Sequence, residues 1–150
     1  MEFNSGEMSS VYGGSTPGFA FDGDLTTMAH SDCNTGGGEI WMKLTLSNLA
    51  VVTKLTVWLS HLGYWTKWRF SGTKVYVRLE EGEERYCGNV TIPTESGQTS
   101  SDVICGHPII GNEVVFRQQM EYGSAACIHV YEVEAYGFES MYAYCLISCN

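Results

Sequence analysis

The sequence is poor in basic residues, in proline and in long apolar runs. Eight Lys and Arg stand against 17 Asp and Glu, which gives a formal net charge of −9. Such an acidic chain repels phosphate backbones and anionic lipid headgroups, which disfavours nucleic-acid binding and charge-driven membrane docking. No apolar run approaches the roughly 18 residues that a membrane helix needs. With 3 prolines there is no sign of a long stiff linker, and 150 residues favour a single domain.

The sequence also lacks the usual signatures of catalysis. It contains no GxSxG, no HExxH, no glycine-rich phosphate loop and no kinase motif. Glu132 and Glu134 lie about 7 Å apart on a predicted strand, a spacing that would fit an inverting pair of carboxylates. However, no aromatic cleft is visible around both residues. We therefore predict a binding domain and not an enzyme.

Cysteine is plentiful and even in number, with six in the chain. None forms a CxxC pair, so we expect no zinc site, and an even count in a glycine-rich chain favours disulfides. The triplet Asn89-Val90-Thr91 is a glycosylation sequon, which agrees with this interpretation. The start, residues 1–7, has neither the basic nor the apolar stretch of a signal peptide. We predict an extracellular or secreted domain whose signal peptide is not present in this chain.

Short segments with apolar and polar residues in alternation recur along the chain, and helical periodicity is nearly absent. Alternation with a period of two is typical of half-buried antiparallel strands. The predicted strands are residues 40–46, 53–59, 73–79, 114–118 and 127–136. Polar, glycine-rich turns separate them, which predicts an all-β fold, an antiparallel β-sandwich or jelly roll. We predict an N-terminal extension over residues 1–8, one domain over 9–137 and a C-terminal tail over 138–150.

Five segments follow one another in an order that is characteristic of a known family. They are residues 9–12, 20–24, 41–46, 69–75 and 131–137. This ordered set resembles the galactose-binding-domain-like jelly roll of discoidin-type domains, and the most similar branch is the F-type lectins, which bind fucose. The resemblance covers about residues 9–137 and implies a β-sandwich that binds a glycan between the loops at one end.

The resemblance also implies a structural calcium ion. The family holds it with a loop of the form Ala-x-Asp-Gly-Asn, with a Glu of a late strand and with backbone carbonyls. The residues at or near the matching positions are Phe19, Asp22, Asp24, Asp32, Tyr131 and Glu132. Calcium prefers six to eight oxygen ligands in a flexible shell, and Asp22-Gly23-Asp24 offers two carboxylates on one turn. The alternative is that these Asp and Gly residues only form the turn.

Two disulfides follow from the same resemblance. Cys87 and Cys105 match a family disulfide between two strands. Cys33 has a family counterpart that bonds into the late strand, where this chain has a tyrosine, and Cys127 four residues earlier is the natural substitute. The two cysteines of the tail would then pair with each other or with another chain.

The fucose motif of F-type lectins is only partly present. It runs His, a long gap, Arg-x-Asp, four residues and then Arg or Lys, and this chain keeps the last element as Arg69. In place of the rest, residues 61–69 concentrate aromatic and basic side chains, a mixture that suits sugar rings and hydroxyls. His30 lies beside the proposed calcium loop, and Thr35 lies near the position of the family histidine. The candidate ligand-binding residues are therefore His30, Thr35, His61, Tyr64, Trp65, Lys67 and Arg69.

We therefore predict a calcium-supported, carbohydrate-binding lectin domain for cell recognition or innate defence. Its partners would be glycans, fucosylated ones first, on glycoproteins or cell surfaces. Because aromatic and Arg clusters also serve protein interfaces, one alternative is a discoidin-type adhesion module that binds a protein or membrane surface. Another is a non-catalytic module of a larger receptor or enzyme. Single-site sugar binding is weak, so a lectin would need several sites, which a homo-oligomer would supply.

Overall fold

The computed structural model describes residues 1–33, 38–59, 69–91, 97–120 and 126–139. Strands dominate these residues, with one 3-10 helical turn at Pro17–Ala20. The strands are β1 (Phe3–Met8), β2 (Ala29–His30), β3 (Gly38–Trp58), β4 (Lys74–Arg78), β5 (Arg85–Asn89), β6 (Ser100–Met120), β7 (His129–Val130) and β8 (Glu132–Glu139). No helix in the described part is long and apolar enough to cross a membrane.

The two longest strands, β3 and β6, build both walls of an antiparallel β-sandwich. The first part of β3 pairs with β1 up to Leu46 and with the second half of β6 up to Thr45. From Ala50, β3 pairs with β8 and with the first half of β6. The register of the β3–β6 pairing shifts between Thr45 and Ala50, as expected where a bulge bends a strand. One wall therefore has the order β1-β3-β6-β4-β5, and β8 lies beside β3 in the other.

The predicted alternation is confirmed by the buried faces of these strands. On β3, Met42 and Leu44 are fully buried, and on β4 Val75 and Val77 are fully buried as well. Phe116 of β6 packs against Phe70 with 5.7 Å between ring centroids. The all-β sandwich that the sequence indicates is thus the observed architecture, with one core between its two walls.

The ends of the domain differ from the sequence prediction. Residues 1–8, expected to be an extension, contain β1, which pairs with β3 from Phe3 opposite Leu46 to Met8 opposite Met42. Its apolar residues Phe3 and Met8 pack against the core, but they do not alternate regularly with polar ones, so the sequence carries no clear strand pattern. At the other end β8 continues to Glu139, which lies opposite Ala50. Residues 140–150, including Cys145 and Cys149, lie outside the described part.

Both predicted disulfides are present. Cys87–Cys105 links β5 to β6 and is called the strand disulfide below. Cys33–Cys127 joins the chain after β2 to the chain before β7 and is called the ribbon disulfide. Their sequence separations are 18 and 94 residues. The ribbon disulfide therefore closes much the longer loop and connects the first third of the domain to its last strands.

Candidate functional site

Strands β2 and β7 form a short antiparallel ribbon that carries two histidines. Ala29 lies opposite Val130 in this ribbon, and His30 lies opposite His129. Ser31 fixes the end of the ribbon, since its hydroxyl accepts a hydrogen bond from the backbone N–H of Ile128 at 2.9 Å. The ribbon disulfide closes the same end. Both histidines are buried, at 7% and 4% exposed.

Arg69 is tied to this ribbon through its backbone. Its carbonyl oxygen accepts a hydrogen bond from the N–H of Cys127 at 3.3 Å and another from Nε2 of Gln118 at 2.9 Å. The charge of Arg69 acts on both His30 and His129, so the guanidinium lies near the two imidazoles. His30, Arg69 and His129 are called the Arg–His cluster below.

One aromatic ring extends the cluster at each end. The ring of Tyr12 lies 5.1 Å from that of His30, the two histidine rings are 5.0 Å apart, and the ring of Tyr131 lies 5.9 Å from that of His129. Tyr12 is 59% exposed. Its backbone N–H donates to the carbonyl of His30 at 2.9 Å, which holds it beside the ribbon. The four side chains thus form a continuous row of rings with one exposed end.

The electrostatics of the cluster favour neutral histidines beside a charged arginine. Burial lowers the pKa of His129 to about 4, and the charges of His30 and Arg69 act in the same direction. Burial and the Arg69 guanidinium likewise lower the pKa of His30. The Nδ1 atoms of both imidazoles are buried and have no hydrogen-bond partner. At neutral pH the rings are therefore uncharged, and each nitrogen can donate or accept one hydrogen bond.

Arg69 has no acidic partner in the described part of the chain, where every ion pair involves other basic residues. The alternative role of Arg69, a surface salt bridge with a Glu, is therefore not found among the described residues. A guanidinium that has no acidic partner among the described residues and lies next to neutral imidazoles can bind vicinal oxygens of a ligand.

The loop after the 3-10 turn brings two of the predicted calcium ligands together. The backbone N–H of Gly23 donates to Oε2 of Glu132 at 3.0 Å, which links this loop to β8. Burial raises the pKa of Glu132 to about 7, and the negative charges of Asp22 and Glu134 raise it as well. A cavity of about 490 Å³ adjoins these carboxylates. The carboxyl of Glu132 is thus buried next to other acids, a situation that a bound cation would relieve.

The two aspartates of this loop, Asp22 and Asp24, are engaged in turn hydrogen bonds. Asp22 accepts from the N–H of Asp24 at 2.9 Å, and Asp24 accepts from the N–H and hydroxyl of Thr26 at 2.8 and 2.7 Å. These bonds to Thr26 lower the pKa of Asp24. The turn chemistry that the sequence leaves open as an alternative is therefore present, although each carboxylate retains lone pairs for another ligand.

The other three predicted calcium ligands are Asp32, Phe19 and Tyr131. Asp32 is exposed, and its N–H donates to the hydroxyl of Ser10 at 3.0 Å. Its charge acts on His30 and is not among the charges that act on Glu132. Phe19 belongs to the 3-10 turn, and the N–H of Tyr131 donates to the carbonyl of Trp58 at 2.9 Å. The structure thus places Asp32 on the side of the histidines.

One group of three potential metal ligands lies close together among the described residues. Ligand atoms of His30, Cys33 and Cys127 all lie within 4.8 Å of one another. The two sulfur atoms are bonded to each other in the ribbon disulfide. Because a metal would need them as thiolates, this group does not form a metal site in the oxidised protein.

The structure brings together His30 and Arg69 from the predicted ligand-binding set. The other members, Thr35, His61, Tyr64, Trp65 and Lys67, lie outside the described residues.

His129 lies in a predicted strand but was not among the predicted site residues. The available signal was the predicted pairing of Cys33 with Cys127, because a disulfide between two antiparallel segments brings the residues shortly before Cys33 close to those shortly after Cys127. The exact register, with His30 opposite His129, is visible only in the ribbon.

No family model matches the chain, and no curated protein matches its sequence. Solved structures do match its fold. The lectin domain of lectinolysin complexed with Lewis B antigen is 16% identical, with a TM-score of 0.70, over 89% of this chain and 92% of that chain. A family 32 CBM from C. perfringens NanJ in complex with galactose is 18% identical, with a TM-score of 0.65, over 87% and 91% of the two chains.

A third similar structure is a Streptococcus pneumoniae fucose binding module, SpX-3. It is 14% identical, with a TM-score of 0.67, over 90% of this chain and 94% of that chain. At such low identity the likeness establishes the architecture. The chain therefore has the antiparallel β-sandwich fold that these lectin and carbohydrate-binding modules share, as the resemblance in its sequence predicts.

Proposed function

We propose that this chain is a lectin domain that binds a glycan at the Arg–His cluster. The observation that carries the proposal is the guanidinium of Arg69, which has no acidic partner in the described part and lies beside two neutral, buried histidines. The fold supports it, since the similar structures are complexes or modules named for Lewis B antigen, galactose and fucose.

The chemistry of the cluster suits a polyol. Arg69 offers a planar fork of donors that can bridge two neighbouring hydroxyls. The exposed ring of Tyr12 offers an apolar surface for the C–H face of a pyranose. We propose fucosylated glycans as the first candidates, because Arg69 is the element of the fucose motif that the sequence keeps. The two disulfides fit the oxidising environment of an extracellular recognition domain.

We also propose that a structural calcium ion binds where the loop of Asp22 and Asp24 meets Glu132. The support is the buried carboxyl of Glu132, whose raised pKa of about 7 arises from burial and from negative neighbours. When bound, the ion would neutralise these carboxylates and tie the loop to β8. Hard carboxylate oxygens are the ligands that calcium prefers.

A glycan array in calcium buffer, followed by isothermal titration calorimetry with the best glycan, tests the lectin proposal. R69A should weaken glycan affinity by about tenfold or more, because it removes one or more charge-assisted hydrogen bonds to the sugar. R85A is the matched control, because Arg85 is an exposed arginine on β5. If no glycan binds at millimolar concentration, or if R69A binds as tightly as the wild type, the proposal is wrong.

The calcium proposal has its own test. Calcium should raise the Tm of the wild type relative to EDTA, as expected for an ion that binds the folded state. E132Q should abolish this increase, whereas E139Q on the same strand should retain it. An equal response of E132Q and the wild type to calcium would contradict the assignment.

A further inference from the structure

The sequon of the chain lies at the exposed end of β5. Asn89-Val90-Thr91 is the one Asn-x-Ser/Thr triplet in the sequence. Asn89 is the last residue of β5 and lies opposite Lys74 of β4. Its side chain is exposed, whereas Val90 next to it is buried at 1% exposed. The strand thus presents the asparagine to solvent and anchors the following residue in the core.

The amide of Asn89 is held in a way that leaves its nitrogen available. The hydroxyl of Tyr86 donates a hydrogen bond to Oδ1 of Asn89 at 2.9 Å. An N-linked glycan is attached at Nδ2, so attachment leaves this hydrogen bond intact. In the described part of the chain, Asn89 has no hydrogen bond through Nδ2.

An apolar surface for the first sugar lies beside Asn89. Tyr86 is 48% exposed, and its ring meets that of Tyr76 edge to face at 5.8 Å between centroids. A groove of about 320 Å³ lies beside Tyr76 and is lined in part by Lys74 and Arg117. Aromatic rings pack against the C–H face of a pyranose, and the charged side chains can bind its hydroxyls.

From these observations we infer that Asn89 carries an N-linked glycan whose first N-acetylglucosamine packs on Tyr86. The donor is a lipid-diphosphate-linked oligosaccharide. The Nδ2 atom of Asn89 forms a bond to the anomeric carbon, the bond from that carbon to the diphosphate oxygen breaks, and the amide nitrogen releases one proton to a base.

The folded structure also indicates when the transfer occurs. The N–H and the hydroxyl of Thr91 lie 3.2 and 3.1 Å from the hydroxyl oxygen of Ser101 on β6. The strand disulfide holds Cys87, two residues before Asn89, against the same strand. Because the sequon threonine is engaged in the folded domain, the glycan is added before β5 docks on β6.

The test is expression of the full chain behind a secretion signal in a eukaryotic cell line. Peptide mass spectrometry of the secreted protein should find glycan on Asn89 in most molecules. N89Q and T91A should lose it, whereas T91S should retain it. Secreted, folded wild-type protein with unmodified Asn89 would overturn the inference.

The role of Tyr86 is tested separately by thermal unfolding. The glycosylated chain, trimmed to one N-acetylglucosamine, should have a Tm about 2 °C or more above that of the same chain made without glycan. For a domain of this length, such a shift corresponds to an increase of order 1 kcal/mol in the free energy of unfolding. Y86A should keep the glycan and lose this increase, whereas Y136A, which removes another exposed tyrosine, should keep both. An equal Tm increase in Y86A would refute packing of the sugar on Tyr86.

Discussion

Replacing His129 by glutamine should reduce the loss of stability that the domain suffers in mild acid. His129 is 4% exposed, its Nδ1 has no partner, and burial lowers its pKa to about 4. In the unfolded chain a histidine titrates near its ordinary pKa of 6.5. Between these two values the unfolded state binds more protons than the folded state, so the free energy of unfolding falls as the pH falls from about 6.5 to about 4.

The magnitude follows from the two pKa values. At pH 5 the imidazole is mostly protonated in the unfolded chain and mostly neutral in the folded domain. This difference lowers the free energy of unfolding by about 2 kcal/mol relative to its value at high pH. At pH 7 the same contribution is only a few tenths of a kcal/mol. His129 alone should therefore remove roughly 2 kcal/mol of stability between pH 7 and pH 5.

Glu132 acts in the opposite direction. Its pKa is raised to about 7 in the folded domain, so its contribution is fully present below its unfolded value and is lost as the pH rises through about 7. The two groups partly offset each other in the wild type between about pH 4.5 and 6.5. For this reason the measurement compares variant with wild type, where the contribution of Glu132 cancels.

Urea unfolding at pH 7 and pH 5, in EDTA, measures the difference. Any pH-independent cost of burying glutamine is common to both pH values and cancels. Between these pH values H129Q should lose about 2 kcal/mol less than the wild type. H107Q is the matched control: His107 is exposed on β6, so its loss should follow that of the wild type. If H129Q loses as much stability as the wild type, the imidazole is not buried in neutral form and the electrostatic account of the cluster fails.

Three further predictions concern the fold. Replacing both cysteines of the ribbon disulfide by alanine should lower the free energy of unfolding by about 4.7 kcal/mol, and the same change at the strand disulfide should lower it by about 3.2 kcal/mol. The difference arises because the longer closed loop restricts the entropy of the unfolded chain more. Urea unfolding of the two variants measures both losses, and a larger loss for the strand disulfide would contradict this reasoning. G137A should unfold at a clearly lower Tm than the wild type, since a Cβ there would lie 1.9 Å from the carbonyl oxygen of Val51, whereas G106A, with open space around it, should change little. F116A should lower the free energy of unfolding by about 3–5 kcal/mol because it empties a fully buried position, and a loss below about 1 kcal/mol in the same assay would show that this position is not packed as described.

The all-β class and its main strands were predictable from the residues. Alternation of apolar and polar residues on β3 and β4 indicates that one face of each strand is buried. This pattern is local, so it can be recognised without knowing which strands pair with them. The ordered segments between residues 9 and 137 led to the sandwich, and their cysteines led to both disulfides. The strands were thus predicted from local alternation, and the sandwich and the disulfides were predicted from a resemblance over most of the chain.

Tertiary structure alone decided which side chains meet. Strand β1 was missed because its apolar residues Phe3 and Met8 do not alternate regularly with polar ones, whereas its pairing with β3 is a tertiary contact. His129 was missed because its contact with His30 depends on the register of two segments about 100 residues apart in the chain. Residue types and local periodicity can be read from the sequence. The charges, rings and hydrogen bonds that surround a site depend on how strands distant in sequence align in the fold.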